Sequence, residues 1–368
     1  MLLKELYSPQ FYRQFSEVLS EVLPEFDKKN FINAIFCKEW ESLELKQRMK
    51  HTSTVLHSVL PSDYKKTAKI LKELASALQK SALHRHSLEL LFIPDYVERY
   101  GINHYELSVK LLEYITPLSS CEFAVRPFLI KYHEPMLKQM LAWASHKNEH
   151  VRRLASEGAR PRLPWAMALP ALKKDPSSLL PILEKLKNDP SEYVRRSVAN
   201  NLNDITKDHP QIVLDIAKHW IAKSKETDAI LKHACRTLLK QGNTTALQLF
   251  GIVHHHKIVL QKFTLTKKSI KIGEYLPFEI SLVNTDKKSH ALRIEYAIYY
   301  LRQNKTHNKK VFKISERTIE AGEVLQLKRK QSFKVITTRQ FYKGTQYISI
   351  IVNGKELDKQ NFTLIHNS

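Results

Sequence analysis

The chain has 368 residues, with 59 Lys and Arg against 37 Asp and Glu, and a formal net charge of +22. That balance points to nucleic acid or another polyanion and away from a small neutral substrate; no apolar run reaches the ~18 residues needed to span a bilayer, and the amphipathic start is not a secretory leader. Cys37, Cys121 and Cys235 are scattered and fit a reducing cytoplasm, and neither a CxxC pair nor HExxH offers a zinc site.

From the N-terminus to about residue 256 the apolar spacing is helical, as in Tyr105, Leu107, Val109, Leu111, Leu112 and Tyr114, or Leu179, Leu180, Ile182, Leu183 and Leu186. Glu122-Phe123-Ala124-Val125-Arg126 opens one such helix. Glu149-His150-Val151-Arg152-Arg153 recurs 43 residues later as Glu192-Tyr193-Val194-Arg195-Arg196, with a looser copy at Ala229-Ile230-Leu231-Lys232. This period belongs to HEAT-like helix pairs, which stack into a solenoid with a concave binding face. Repeated Val-Arg-Arg near the start of second helices sets Arg152, Arg153, Arg195 and Arg196 along one edge. They form either a solvated helix face or a track of guanidinium groups forking onto phosphates, and the shared register favours the track.

The first copy runs into Ser156-Glu157-Gly158-Ala159-Arg160-Pro161-Arg162-Leu163-Pro164-Trp165. Pro161 and Pro164 remove donors and push Arg160 and Leu163 toward extended backbone, so Arg160, Arg162 and Trp165 are expected on display along a stiff connection. Glu157 and, in the second copy, Asp204 fall near helix C-termini, where the dipole disfavours an acid. Either they hold neighbouring arginines and cap the next loop, or they serve a site. Trp165 is likewise either a packing aromatic or a face offered to a ligand.

Beyond residue 257 the pattern alternates, in 258–265, 277–284 and 346–352, punctuated by turns at 273–274, 284–286, 321–323 and 353–355. About seven strands are expected, in an immunoglobulin-type sandwich without a Cys-Trp-Cys core. The fold class is therefore mainly α: a HEAT-like α-solenoid over 1–256, then a small all-β immunoglobulin-like sandwich over 257–368. The sandwich carries 22 Lys and Arg against 9 Asp and Glu. Lysine protects edge strands, but the excess is larger than that role needs, and Lys267, Lys268, Lys287 and Lys288 beside turns are expected to grip a nucleic-acid backbone. His254-His255-His256 reads as a linker, since three adjacent side chains do not share one ion without further ligands.

The blocks at 156–165, at Val194-Arg195-Arg196-Ser197-Val198-Ala199-Asn200-Asn201-Leu202-Asn203-Asp204-Ile205 and at Asp208-His209-Pro210 resemble the AlkC branch of the HEAT-like-repeat alkylpurine DNA glycosylases. Leu43-Glu44-Leu45-Lys46-Gln47-Arg48-Met49-Lys50-His51 and the sandwich are similar to that branch too. The resemblance implies hydrolysis of the N-glycosidic bond of cationic methylated bases, chiefly 3-methyladenine and also 3-methylcytosine, in bent duplex DNA without full base flipping. It implies Glu157, Trp165 and Asp204 as active-site residues, with Glu122 a weaker addition, and no metal or cofactor. The expected partner is double-stranded DNA containing alkylated bases, with no membrane and no obligate protein partner; the expected location is the cytoplasm of a bacterial-type cell, at the nucleoid during action. Two other classes compete: a catalytically inert HEAT-repeat scaffold for DNA or protein, and an RNA-binding repeat protein that would favour single strands.

Overall fold

A computed structural model describes residues 2–85, 88–336 and 339–365. By compactness the chain divides into Met1–His209 with Ala222–Ala234, and Pro210–Ile221 with Cys235–Ser368. In the first unit α1 (Pro9–Val22), α2 (Lys28–Ile35), α3 (Leu45–Val59), α4 (Tyr64–Lys80), α5 (Phe92–Tyr100), α6 (Tyr105–Ile115), α7 (Val125–Lys131), α8 (His133–Trp143), α9 (Glu149–Glu157), α10 (Pro170–Lys174), α11 (Leu180–Leu186) and α12 (Glu192–Ile205) follow in order. α13 (Pro210–Trp220) leaves it and α14 (Lys225–Ala234) returns to it.

Local chemistry explains these helices. Ser8 accepts from the Phe11 amide and Pro9 occupies the first helical position, so α1 starts where its free donors are satisfied. It then buries Phe11, Tyr12, Phe15, Val18 and Leu19, a stripe at helical spacing. Asn148 caps α9 by accepting from His150. Both Val-Arg-Arg copies fall in the first turns of α9 and α12, which pack on each other, and α12 packs on α14. The 43-residue register is thus a packing register.

In the second unit α15 (Arg236–Lys240) and α16 (Thr244–Leu249) precede β1 (Ile258–Leu265), β2 (Ser269–Lys271), β3 (Tyr275–Asn284), β4 (His290–Leu301), β5 (His307–Ile319), β6 (Val324–Ser332), β7 (Gly344–Val352) and β8 (Lys355–Ile365). One sheet has the order β1-β3-β6, the other β2-β8-β7-β4-β5, antiparallel except where β2 meets β8. Alternation does the work: Leu276, Phe278, Ile280 and Leu282 of β3 point into a core shared with Ile294, Ile298, Ile348, Ile350, Phe333 and Phe362.

The secondary structure changes where the periodicity does, yet the compact division falls elsewhere, because α13, α15 and α16 group with the strands. A Cβ on Gly242 would lie 2.8 Å from the Gly354 carbonyl oxygen, and one on Gly354 would lie 2.4 Å from Leu247 Cδ1. Both glycines have positive φ. Asn353 Nδ2 adds a hydrogen bond to the Val253 carbonyl at 2.7 Å. Backbone-to-backbone contact of this kind is invisible to a periodicity argument. Among the described residues no helix is long and apolar enough to cross a membrane.

Candidate active site

α9 ends at Glu157 and α12 carries Asp204 in its last turn, and one guanidinium joins them. Arg160 Nη1 donates to Glu157 Oε1 at 2.6 Å and Arg160 Nε to Asp204 Oδ2 at 2.8 Å. The three residues are 6, 5 and 1 % exposed respectively. Arg160 was expected on display; the structure buries it, because α12 extends alongside the turn and offers a carboxylate there. Burial pulls the Arg160 guanidinium pKa down, but the hydrogen bonds and charges of Asp204 and Glu157 outweigh this and hold it above the ordinary value. Lys207 Nζ takes the other Asp204 oxygen at 2.9 Å, whereas Glu157 Oε2 is buried with no protein hydrogen-bond partner.

Glu122, from the loop ahead of α7, completes a second pair. Its Oε2 accepts from Arg153 Nη1 at 2.5 Å and from the Ser120 hydroxyl at 2.9 Å, and Arg153 also lies 3.7 Å from Glu157 Oε1 and stacks over Tyr193. A cleft of about 360 Å³ is lined by Glu122, Glu157, Arg160, Trp165, Phe123 and Leu163, among others. Asp204 does not line it: the acid stands behind Arg160. Glu122, the weaker expectation, is at the wall with Glu157. A groove of about 840 Å³ between α4 and α6 is larger but lacks this convergence, since its one carboxylate, Glu113, is taken by Trp143 Nε1 at 2.5 Å and by His146 at 3.7 Å.

The turn that presents Trp165 is over-determined. Arg126, fully buried, donates from Nε to the Met167 carbonyl and from Nη1 to those of Gly158 and Arg160, at 2.7, 2.9 and 2.8 Å. Its burial and the adjacent Arg160 lower the Arg126 pKa to about 10, still cationic at neutral pH. Arg162 forks onto Asp208, and Lys46 of α3 donates to the Trp165 carbonyl at 2.6 Å. Held this way, Trp165 adopts φ 65° and is 61 % exposed. A non-glycine residue there costs about 1–3 kcal/mol, and such strain collects at functional sites. Sequence reasoning missed Arg126, Lys46 and Lys207, although Arg126 and Lys46 lie in blocks already singled out.

The arginine track is corrected. Arg152 forks onto buried Asp189 at 2.6 and 2.9 Å and donates to the His146 and Lys147 carbonyls; Arg195 donates to those of Asp189 and Pro190. These are loop clamps. Arg153 is committed to carboxylates, and of the four only Arg196 is exposed. In the second unit Lys267 and Lys268, between β1 and β2, and Lys287 and Lys288, between β3 and β4, are all exposed at turns.

The model of the DNA alkylation repair enzyme family matches residues 62–238, and that of the YhaZ C-terminal immunoglobulin-like domain matches 259–366. YhaZ of Bacillus subtilis (strain 168) is 46% identical over 360 residues, covering 98% of both chains. A Pseudomonas fluorescens alkylpurine DNA glycosylase AlkC, solved bound to DNA containing an abasic site analog, is 38% identical, with a TM-score of 0.92 over 99% of this chain and 100% of its own. The chain belongs to the AlkC branch of the alkylpurine DNA glycosylases. It is therefore a DNA glycosylase with the helical and immunoglobulin-like parts of an AlkC; Glu157, Asp204, Arg160 and Trp165 lie in the blocks that carried the resemblance, and Glu122 lies outside them.

Proposed function

We propose that the protein hydrolyses the N-glycosidic bond of cationic alkylated bases, 3-methyladenine and 3-methylcytosine, in duplex DNA without full base flipping, working in the cytoplasm at the nucleoid. The observation that carries this reading is a buried carboxylate oxygen, Glu157 Oε2, left unpaired beside a cleft whose rim is a strained, exposed indole. A base that already bears positive charge leaves as a neutral molecule and needs neither a general acid nor a metal. What the enzyme must stabilise is an oxocarbenium-like sugar, and what it must supply is a water.

Glu157 Oε2 meets the developing sugar charge in a site shielded from bulk water, where electrostatics are strong. Glu122, held by Arg153 and the Ser120 hydroxyl, orients the attacking water. Trp165 lays its indole face against the cationic nucleotide, an interaction of about 0.5–2 kcal/mol. Asp204 is a positioning residue: through Arg160 it fixes the Glu157 carboxylate, and Lys207 balances it. An exposed Trp165 on a short turn suits a lesion that stays near the helix stack rather than one swung into a deep pocket. Lys267, Lys268, Lys287, Lys288 and Arg196 supply phosphate contacts.

Incubation with methylated duplex DNA and identification of the released bases tests the reading. Release of 3-methyladenine and 3-methylcytosine by the wild-type chain, absent in Glu157→Gln, supports it; DNA binding without release leaves the inert scaffold, and preference for single strands leaves the RNA-binding class.

A further inference from the structure

The triple histidine ahead of β1 finds the extra ligands that adjacent residues lack. We infer that His255, Asp286 and His290 form a binding site for one borderline divalent transition ion such as Zn²⁺, which ties the segment entering the sandwich to the turn between β3 and β4. One donor atom from each of the three lies within 4.8 Å of the other two. His290 Nε2 is 2.9 Å and His255 Nε2 is 3.7 Å from the same oxygen, Asp286 Oδ2. Zinc–ligand bonds of about 2.0–2.1 Å in a tetrahedron set donors roughly 3.3 Å apart, and these two distances bracket that edge. Two imidazoles and one carboxylate make a set that borderline ions prefer over Mg²⁺ or Ca²⁺.

The frame holding these donors is fixed before any ion arrives. Asn284, fully buried, accepts from the Asp286 amide at 3.0 Å and donates to the carbonyls of Lys288 and Glu320 at 2.8 and 2.9 Å. Thr285 bonds the Lys257 carbonyl through both its amide and its hydroxyl, and the Ile258 amide bonds the His255 carbonyl, so the two segments are already registered. Lys257 Nζ occupies Asp286 Oδ1 at 3.0 Å and leaves Oδ2 to the imidazoles, the outer-shell bond that ligating carboxylates commonly keep. His255 Nδ1 is buried without a hydrogen-bond partner, and the His255 and His290 rings are 3.8 Å apart. Asp286 is one of only 9 acids among 22 basic residues in this part of the chain, and it is the one on which two imidazoles converge.

Tag-free full-length protein stripped with a chelator and titrated calorimetrically with ZnCl₂ tests the assignment. One equivalent binds with micromolar or tighter affinity, and His290→Ala, His255→Ala and Asp286→Asn each weaken it at least tenfold. His254→Ala, at the neighbouring position facing Lys355, leaves it unchanged. Zinc raises the unfolding midpoint of the wild type and not that of His290→Gln, with circular dichroism showing both folded. Should the variants not fold, Co²⁺ added to the wild type gives the intense visible bands of a four-coordinate site, abolished by one equivalent of Zn²⁺ and untouched by Mg²⁺. No saturable uptake at 100 µM Zn²⁺, weak six-coordinate Co²⁺ bands, or uptake that survives His290→Ala and Asp286→Asn overturns the site and leaves a hydrogen-bonded ion-pair cluster.

Discussion

At their N-termini α9 and α12 are copies. Arg152 Nη1 donates to the carbonyls of His146 and Lys147, and Arg195 Nη1, 43 residues on, to those of Asp189 and Pro190, the equivalent pair. At their C-termini they part. α9 has 9 residues and α12 has 14. Gly158 follows α9 where a Cβ would stand 2.6 Å from Val125 Cγ2, and Pro161 then forbids further helix. Five more residues carry α12 about 7.5 Å farther, which sets Asp204 beside the turn that replaced the end of α9. The shared half of the repeat builds the stack; the unshared half builds the site.

The sharpest way to break this comparison is to substitute equivalent positions on the two sides of it. Arg160 corresponds to Asn203 of α12, whose amide bonds the Ala234 carbonyl. Arg160→Met removes the partner that two buried carboxylates share, leaving Asp204 only Lys207 and Glu157 only the more distant Arg153, and is expected to cost ~3–5 kcal/mol in a denaturant unfolding curve, against about 1–2 for Asn203→Ala. Equal costs would show that the bridge is not what holds the two helix ends together. Glu157 corresponds to Asn200. Glu157→Gln is expected to lower base excision by ~10²–10³, while Asn200→Ala stays within about twofold; comparable losses would place the chemistry in the repeat rather than in its interruption.

Smaller effects sharpen the shared half. Arg152→Ala and Arg195→Ala should each lose about 1–3 kcal/mol of stability and leave the salt dependence of DNA binding unchanged, whereas Arg196→Ala should flatten the log–log slope by roughly 0.9 without a stability cost. A slope change in the first pair would restore the phosphate track. The smallest effect tests the strap between the two C-terminal loops. The Arg162 hydrogen bonds hold the Asp208 carboxyl below its ordinary 3.8, so its contribution is present above that value and lost as pH falls through the depressed one. Asp208→Asn is expected to cost less than ~1 kcal/mol at pH 7 and to remove that part of the acid dependence, read as a smaller difference between variant and wild type at pH 2 than at pH 7.

Periodicity made the two parts of the chain and the 43-residue repeat legible, because helix and strand spacing are local properties of Val151, Val194 or Phe278 and their neighbours. Glu157, Asp204, Trp165 and Glu122 were legible as a group only through their blocks. Their division of labour was not. That Arg160 turns inward depends on how far α12 runs, and that Trp165 takes φ 65° depends on Arg126, which holds the Gly158, Arg160 and Met167 carbonyls on either side of it from 32, 34 and 41 residues away, and on Lys46, which bonds its carbonyl from 119 residues away. The prolines predicted a stiff turn and the exposed Trp165, but not that Arg160 turns inward. The Gly242–Gly354 approach, a long-range contact between two residues without side chains, ties the turn between α15 and α16 to the strands, and α13 packs on α16.

That grouping also sets an order of events on the ribosome. α13 emerges before α14, but α14 belongs to the first unit and α13 to the second, so the first unit can close as soon as Ala234 is out while α13 waits. α13, which buries Val213, Leu214, Ala217 and Trp220, packs on α16, and the unit to which both belong is complete only when β8 has been made, about 140 residues later. At bacterial elongation rates of ~5–20 residues per second the wait is roughly 7–30 s. For that interval the amphipathic α13, looped out between α12 and α14, has α16 to pack on but not the finished sheets.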